Sequence, residues 1–251
     1  MKKSTVEIHD PTRRKVIFLI GAAAGLSACG GDGSSPTEAS STSTSSSTSS
    51  SSAATGSSTC VVRPQLTEGP YFVDEGLNRS DIRVDTSDGT TRPGVLLRLT
   101  FQVSRSSGGT CSALSGAQVD VWHCDALGGY SDVENQVGRK YLRGHQVTDA
   151  SGLANFTTIY PGWYTGRAVH IHFKIRTSPG ASSGYEFTSQ LFFDEALTDV
   201  VHAQAPYNQK GRRNTLNTTD GIYRQGGSQL VLPTASEGSG YGATFNIALQ
   251  I

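Results

Sequence analysis

Apolar and polar residues alternate with a period of two in several short stretches of the chain. Between Val95 and Val103 every second residue is consistently apolar, and similar alternation recurs over Ala117–Trp122 and Ala243–Ile251. Because successive side chains of a strand point to opposite faces, the pattern predicts strands with one buried face. Four further short strands are predicted, at Ala154–Ile159, Ala168–Arg176, Glu186–Phe193 and Gln229–Leu232.

Helical periodicity is almost missing from the chain. One short helix is predicted, over Glu195–Ala203, and turn signals such as Asp149-Ala150-Ser151-Gly152 separate the strands. Many short strands with turns between them are typical of a β-sandwich. We therefore expect an all-β fold, a sandwich of mostly antiparallel strands. Residues 60–251 are numerous enough to form it as one domain.

The first thirty residues have the pattern of an export signal. Arg13-Arg14-Lys15 precedes an apolar run, Val16–Leu26, that is too short to span a bilayer as a mature helix. The ending Leu26-Ser27-Ala28-Cys29 resembles the lipobox of bacterial lipoproteins, in which the cysteine is lipidated. We expect residues 1–28 to be a lipoprotein signal peptide and the protein to be exported and lipid-anchored to the bacterial cell envelope. An ordinary signal peptide or a membrane anchor is the alternative, and the export route stays open.

Composition separates a linker from the domain. Residues 29–59 are mainly Ser and Thr with Gly and Ala, too polar to bury a core, and are expected to form a flexible linker. The chain has 21 Lys and Arg against 21 Asp and Glu. This balance, without a basic patch, argues against a nucleic acid as partner.

Cysteine usage agrees with export. With Cys29 assigned to the lipid, Cys60, Cys111 and Cys124 remain. Two of them are expected to pair in an oxidising compartment. Cys60–Cys111 is the favoured disulfide, because Cys60 precedes the domain and Cys111 lies in a predicted Gly- and Ser-rich hairpin loop. Cys124 follows an apolar strand and is expected to be a buried thiol.

A His-x-His pair carries the first candidate chemistry. His170 and His172 share one face of a predicted strand, and Tyr164 and Arg167 lie just before it. Two imidazoles on one face can converge on a metal ion. The alternative is that both are ordinary half-buried strand histidines. The nearby tyrosine and the second segment described next favour the metal site.

The second segment places a tyrosine in a glycine-containing loop after a strand. It contains Asp120-Val121-Trp122-His123 followed by Gly128-Gly129-Tyr130-Ser131. With Pro161-Gly162-Trp163-Tyr164, Arg167 and the histidines downstream, this order resembles the intradiol ring-cleavage dioxygenases. Thr67–Phe72, the Arg143–Gly152 connector and Thr188–Phe193 also resemble that family. The resemblance extends over most of residues 60–251.

The resemblance implies a non-haem Fe(III) enzyme that cleaves a catecholic ring with O2 to a cis,cis-muconate-type product. The implied iron ligands are two tyrosines and two histidines: Tyr130, Tyr164, His170 and His172. It also implies that Arg167 and Gln190 act on the substrate. Phenolate oxygens are hard anionic donors and suit ferric iron. Without iron, Tyr130 would be a surface loop residue and Tyr164 a turn aromatic. The alternative for Arg167 is a surface arginine on a strand edge.

Two other readings compete with this one. A noncatalytic ligand-binding or adhesion lipoprotein could retain the same sandwich, although loss of one tyrosine would be its natural sign. A zinc or copper enzyme would use the histidines, but paired tyrosines suit ferric iron better. The segment from Tyr164 to His170 is shorter than in the catabolic enzymes of the family, which predicts a more open substrate pocket.

Overall fold

The computed structural model describes residues 60–180 and 183–251, which form two β-sheets. The first sheet contains β1 (Leu96–Ser107), β2 (Thr110–Ala113), β5 (Leu153–Ile159), β8 (Thr234–Glu237) and β9 (Gly240–Gln250). The second contains β3 (Gln118–Trp122), β4 (Arg143–Val147), β6 (His170–Arg176) and β7 (Glu186–Phe192). One α-helix, α1 (Glu195–His202), and short 3-10 turns complete the described part.

Strand pairing is mostly antiparallel. The second sheet has the order β4-β3-β6-β7, and all its pairs are antiparallel. In the first sheet β1 pairs with β9 in parallel and with β2 and β5 in antiparallel orientation. The expectation of an all-β sandwich of mostly antiparallel strands is confirmed.

The core lies between the two sheets. Leu97, Leu99, Phe101 and Val103 of β1 are completely buried, as the alternation predicts. The Phe101 ring lies 5.2 Å from that of Phe173 on β6, measured between centroids. Ile171, Phe173 and Ile175 therefore point into the core, and alternation places His170 and His172 on the opposite, outer face of the second sheet.

Most of the predicted elements are present with small changes at their ends. The helix ends at His202, one residue before the predicted end, and Asp194 caps its start by accepting a hydrogen bond from the Leu197 amide at 2.9 Å. The predicted strand Gln229–Leu232 is wrong: Gly227–Leu230 is a 3-10 turn, and Val231 alone forms a bridge with Phe192. Leu230 and Leu232 are both buried, so their spacing imitates a strand.

Three short edge strands are not predicted from the sequence. β2, β4 and β8 carry mainly polar or small residues and lie at sheet edges, where an apolar face is not required. Cys111 consequently lies in β2 rather than in a hairpin loop, and it forms a disulfide with Cys60 across 51 positions of sequence. Cys124 is a buried free thiol.

The amino-terminal expectations lie outside the described residues. These are the signal peptide 1–28, the linker 29–59 and lipidation at Cys29. Within 60–180 and 183–251, no helix has the length and apolar character needed to cross a membrane.

Candidate metal centre

The outer face of the second sheet carries a cluster of aromatic and polar side chains. Pairing aligns Trp122 of β3, His172 of β6 and Gln190 of β7 in one row across the sheet. The Trp122 indole stacks on the His172 imidazole, with centroids 5.0 Å apart and planes 7° from parallel. Both histidines and Gln190 are at most 2% exposed.

A tight turn presents Tyr130 to this face. The Asp125 carboxylate accepts hydrogen bonds from the Leu127 and Gly129 amides at 3.0 and 2.9 Å, which closes the turn after β3. Gly128 has a φ of +85°, a conformation that favours glycine. Tyr130 follows directly and is only 5% exposed, so the alternative of a surface loop tyrosine is wrong.

Close backbone approach brings the second tyrosine beside the first. Gly162 packs against the Asp125–Ala126 backbone, where a Cβ would lie 2.5 Å from the Asp125 carbonyl oxygen. No larger residue fits there without displacement of one loop. The loop then continues to Tyr164, whose ring centroid lies 5.7 Å from that of Tyr130.

The four predicted ligands lie together. His170 Nε2 is 3.0 Å from His172 Nε2 and 3.2 Å from Tyr164 Oη. Such separations suit neighbouring donors of one metal ion, given metal–nitrogen distances of about 2.0–2.1 Å. The Tyr130 hydroxyl is buried and has no hydrogen-bond partner of ordinary geometry.

Both histidines are neutral, and a hydrogen bond holds His170 in the tautomer that binds metals. His170 Nδ1 lies 2.6 Å from the Ala168 carbonyl oxygen and donates its proton there, which leaves the Nε2 lone pair facing the cluster. Burial, aided by the charge of Arg167, lowers the pKa of His170 to about 3. Burial also lowers the pKa of His172 well below its usual value. Both imidazoles are therefore neutral at pH 7.

The tyrosines require a cation before they ionise. Burial raises the pKa of Tyr164 to about 12, although Arg167 acts against this shift. Burial and the proximity of Tyr164 raise the pKa of Tyr130 well above its usual value. A highly charged cation at the four donor atoms would stabilise both phenolates. The unpartnered Tyr130 hydroxyl and the facing imidazole nitrogens thus fit a bound metal ion.

The described residues offer no carboxylate or thiol alternative. Across 60–180 and 183–251, no group of three or more His, Cys, Asp or Glu side chains is placed to hold a metal ion. The candidate centre depends on its tyrosines.

Arg167 and Gln190 lie beside the four predicted ligands. Arg167 Nη2 donates to the Gln190 side-chain oxygen, and Arg167 Nη1 is 3.4 Å from His170 Nε2. The Gln190 amide donates in turn to the Thr67 carbonyl oxygen at 2.8 Å. The Arg167 side chain is 15% exposed, so the alternative of a surface arginine is wrong.

Three residues at the site were missed by sequence reasoning. The Tyr71 ring packs against that of Tyr130 with centroids 4.5 Å apart and planes tilted by 32°, and Asp220 binds the Arg167 side chain. Arg143, 3% exposed, donates from Nε to the Ser131 hydroxyl at 2.8 Å and from both terminal nitrogens to the Tyr71 carbonyl oxygen at 3.3 Å. Tyr71 and Arg143 belong to motifs that the resemblance had already marked. Asp220 has no such signal.

The fold and site define a β-sandwich protein with a buried tyrosine–histidine centre on one outer sheet face. A family model described as Dioxygenase (Dioxygenase_C) matches residues 67–218, more than half of the chain. A solved intradiol ring-cleavage dioxygenase from Tetranychus urticae is 31% identical; the match covers 76% of this chain and 95% of that one, with a TM-score of 0.66. The chain therefore belongs to the intradiol ring-cleavage dioxygenase family.

Curated relatives agree over part of their length. A chlorocatechol 1,2-dioxygenase from Pseudomonas putida is 31% identical over 161 residues, 55% of this chain and 58% of that protein. Catechol 1,2-dioxygenase 2 from Acinetobacter lwoffii is 31% identical over 149 residues, 52% of this chain and 51% of that protein. The chain thus spans a little over half the length of these two relatives.

Proposed function

We propose that the protein binds Fe(III) and cleaves a catecholic ring between its two hydroxylated carbons. Both atoms of O2 enter the product, a cis,cis-muconate-type diacid. The observation that carries the proposal is the buried cluster of Tyr130, Tyr164, His170 and His172, whose rings lie next to one another. Family membership supports it, since similar proteins are named catechol and chlorocatechol dioxygenases.

Each ligand residue contributes a defined property to the proposed centre. The two phenolates supply hard anionic oxygens, and the neutral imidazoles complete the set without adding charge. Ferric iron bound there would supply a Lewis acid, which would favour the anionic form of the catechol and electron donation from its ring. Half-buried Tyr164 is the more exposed of the two tyrosines, so it is the ligand that an arriving catechol contacts more easily.

In this proposal Arg167 acts on the substrate, and Gln190 acts through Arg167. The guanidinium carries a fixed charge into a largely buried site, where it stabilises negative charge developing on the ring during reaction with O2. Gln190 holds the guanidinium from the other side through its side-chain oxygen. Its amide nitrogen is engaged with Thr67, so in this arrangement Gln190 acts by orienting the guanidinium.

Metal content, colour and turnover test the proposal together. Protein supplied with iron is expected to contain stoichiometric Fe(III), to show a visible tyrosinate-to-iron charge-transfer band, and to consume O2 with catechol while muconate forms. His172→Ala should lose iron and colour. Arg167→Ala should keep both and react on the order of 10²–10³-fold more slowly.

Two results would refute the proposal. Colourless protein that takes up zinc but not iron would contradict the metal assignment. Stoichiometric, coloured iron protein that leaves every catechol and chlorocatechol tested unchanged would favour the noncatalytic ligand-binding alternative.

We also propose that the protein is exported and lipid-anchored through Cys29. The disulfide between Cys60 and Cys111 supports an oxidising compartment. Cys29→Ala should release the protein from membranes or leave it unprocessed, as fractionation and mass spectrometry would reveal. An unmodified mature terminus at another residue of the wild type would contradict this.

A further inference from the structure

A buried carboxylate lies behind the site and does not reach the metal-binding atoms. Asp220 is 1% exposed and lies between two short 3-10 turns, Asn217–Thr219 and Tyr223–Gln225. Its Oδ2 accepts hydrogen bonds from Arg167 Nε at 2.9 Å and from the Ala168 amide at 2.8 Å. Ala168 is also the residue whose carbonyl oxygen orients His170.

The surroundings of Asp220 demand an ionised carboxylate. Its other oxygen, Oδ1, accepts from the Ile222 and Tyr223 amides at 2.6 and 3.2 Å. Four N–H donors therefore face two oxygens. An asparagine in either orientation would turn its own NH2 group toward two of these donors, because an amide has one acceptor oxygen only.

This carboxylate determines where the Arg167 guanidinium lies. Asp220 holds the Nε edge, Gln190 receives a hydrogen bond from Nη2, and Nη1 is directed toward the metal-binding side of His170. Fixed at Nε and Nη2, the planar group has one orientation. Without Asp220, the guanidinium keeps only neutral neighbours, Gln190 and His170, and is held less firmly against rotation toward solvent.

We infer that Asp220 is a positioning residue that fixes Arg167 against the substrate, and this inference rests on the proposed function. Asp220 acts through Arg167 rather than on the metal. In iron-loaded protein, its removal should therefore change substrate binding and turnover only while Arg167 is present, whereas loss of its hydrogen bonds to three backbone amides would lower stability in either background. That condition separates a positioning role from a general structural one, which would persist in either background.

A double-mutant cycle tests the inference with wild type, Asp220→Asn, Arg167→Ala and the double variant, all iron-loaded. One readout is the dissociation constant of 4-nitrocatechol, titrated without O2 by its visible spectrum. The other is kcat/KM with catechol. Asp220→Asn should retain iron and its charge-transfer band, lower kcat/KM on the order of 10²-fold, and weaken 4-nitrocatechol binding about tenfold. In the Arg167→Ala background neither quantity should change further.

Asp149→Asn is the matched control. Asp149 accepts hydrogen bonds from the Ser151 and Leu153 amides at 2.8 and 2.9 Å in an exposed turn before β5. It should leave both readouts unchanged. If Asp220→Asn does not fold, Asp220→Glu replaces it in the cycle, since it keeps the charge but displaces the carboxylate by one methylene.

The possible outcomes distinguish failure of the positioning role of Asp220 from failure of the proposed function. A Asp220 variant equal to wild type, or equally impaired in both Arg167 backgrounds, overturns the positioning role while the proposed function stands. Wild-type protein that binds no iron or does not turn over catechol overturns the proposed function and the inference with it.

Discussion

The Tyr130 hydroxyl offers a test of the proposed metal centre. The effect of Tyr130→Phe on the free energy of unfolding should have one sign without metal and the opposite sign with metal bound. This oxygen is buried without a hydrogen-bond partner of ordinary geometry, and leaving such a group unsatisfied costs about 1–3 kcal/mol. Tyr130→Phe removes only that oxygen. In chelator-treated protein, the variant should therefore be as stable as the wild type or more stable, by up to about 1–3 kcal/mol.

Bound metal should reverse this order. A ligand present at 100 times its dissociation constant stabilises the folded state by about 2.7 kcal/mol. Tyr130→Phe removes one of four proposed donors, so it should lose most of that gain. Urea unfolding of the metal-free and iron-loaded forms would measure the difference in unfolding free energy between variant and wild type in each form. For a domain of this size each kcal/mol corresponds to about 2–4 °C in Tm.

Tyr207→Phe is the matched control. The Tyr207 hydroxyl is fully buried, donates to the Tyr160 carbonyl oxygen at 2.7 Å and accepts from the Val95 amide at 3.0 Å. Two lost hydrogen bonds should cost about 1–3 kcal/mol with or without metal. If metal-free Tyr130→Phe is destabilised like Tyr207→Phe, the hydroxyl has a partner and the reasoning is refuted.

Three further predictions concern the scaffold around the site. Gly162→Ala places a Cβ 2.5 Å from the Asp125 carbonyl oxygen, so it should lower the free energy of unfolding by about 1–3 kcal/mol and weaken iron binding. The control Gly221→Ala meets nothing closer than 3.8 Å and should lower it by less than about 0.5 kcal/mol. Equal unfolding midpoints of the two variants would contradict this. Burial lowers the pKa of His123 to about 4, so the unfolded state takes up a proton there first as the pH falls below about 6.5. Metal-free wild type should therefore lose about 2 kcal/mol more stability between pH 7 and 5 than the His123→Gln variant. An equal loss of stability in both proteins would count against this. Cys60→Ser should lower stability by up to about 4 kcal/mol, the entropy of opening a loop across 51 positions, and reduction of the wild type should reproduce the loss.

The fold was predictable where one strand face is buried. β1, β6 and β9 alternate clearly because their inner faces form the core, and Leu97, Phe101 and Phe173 are completely buried. The edge strands β2, β4 and β8 carry little of that signal, since pairing at an edge needs backbone hydrogen bonds rather than an apolar face. Periodicity failed at Gln229–Leu232 because Leu230 ends a 3-10 turn, and Val231 between the two buried leucines forms only an isolated bridge.

The four proposed ligand residues could be named from sequence because each lies in a short motif that resembles the intradiol ring-cleavage dioxygenases. His170 and His172 share a strand face, while Tyr130 and Tyr164 each end a glycine-containing turn. The residues that support this site from behind have no such local pattern. Asp220 lies 53 positions from Arg167 in the sequence and meets it only after the chain has passed through β6, β7 and α1.

The site lies on an outer sheet face. This explains why the proposed ligands have local sequence patterns whereas the residues that cover and position them do not. The inner face of β6 already supplies the core, so His170 and His172 are free to face outward without weakening it. An outer face, however, has no second sheet to cover it. Loops from distant parts of the chain must cover the site, and Tyr71 and Asp220 come from two of them. The chemistry of the candidate site is therefore local in sequence, whereas its burial, and with it the pKa shifts of its tyrosines and histidines, is a tertiary property.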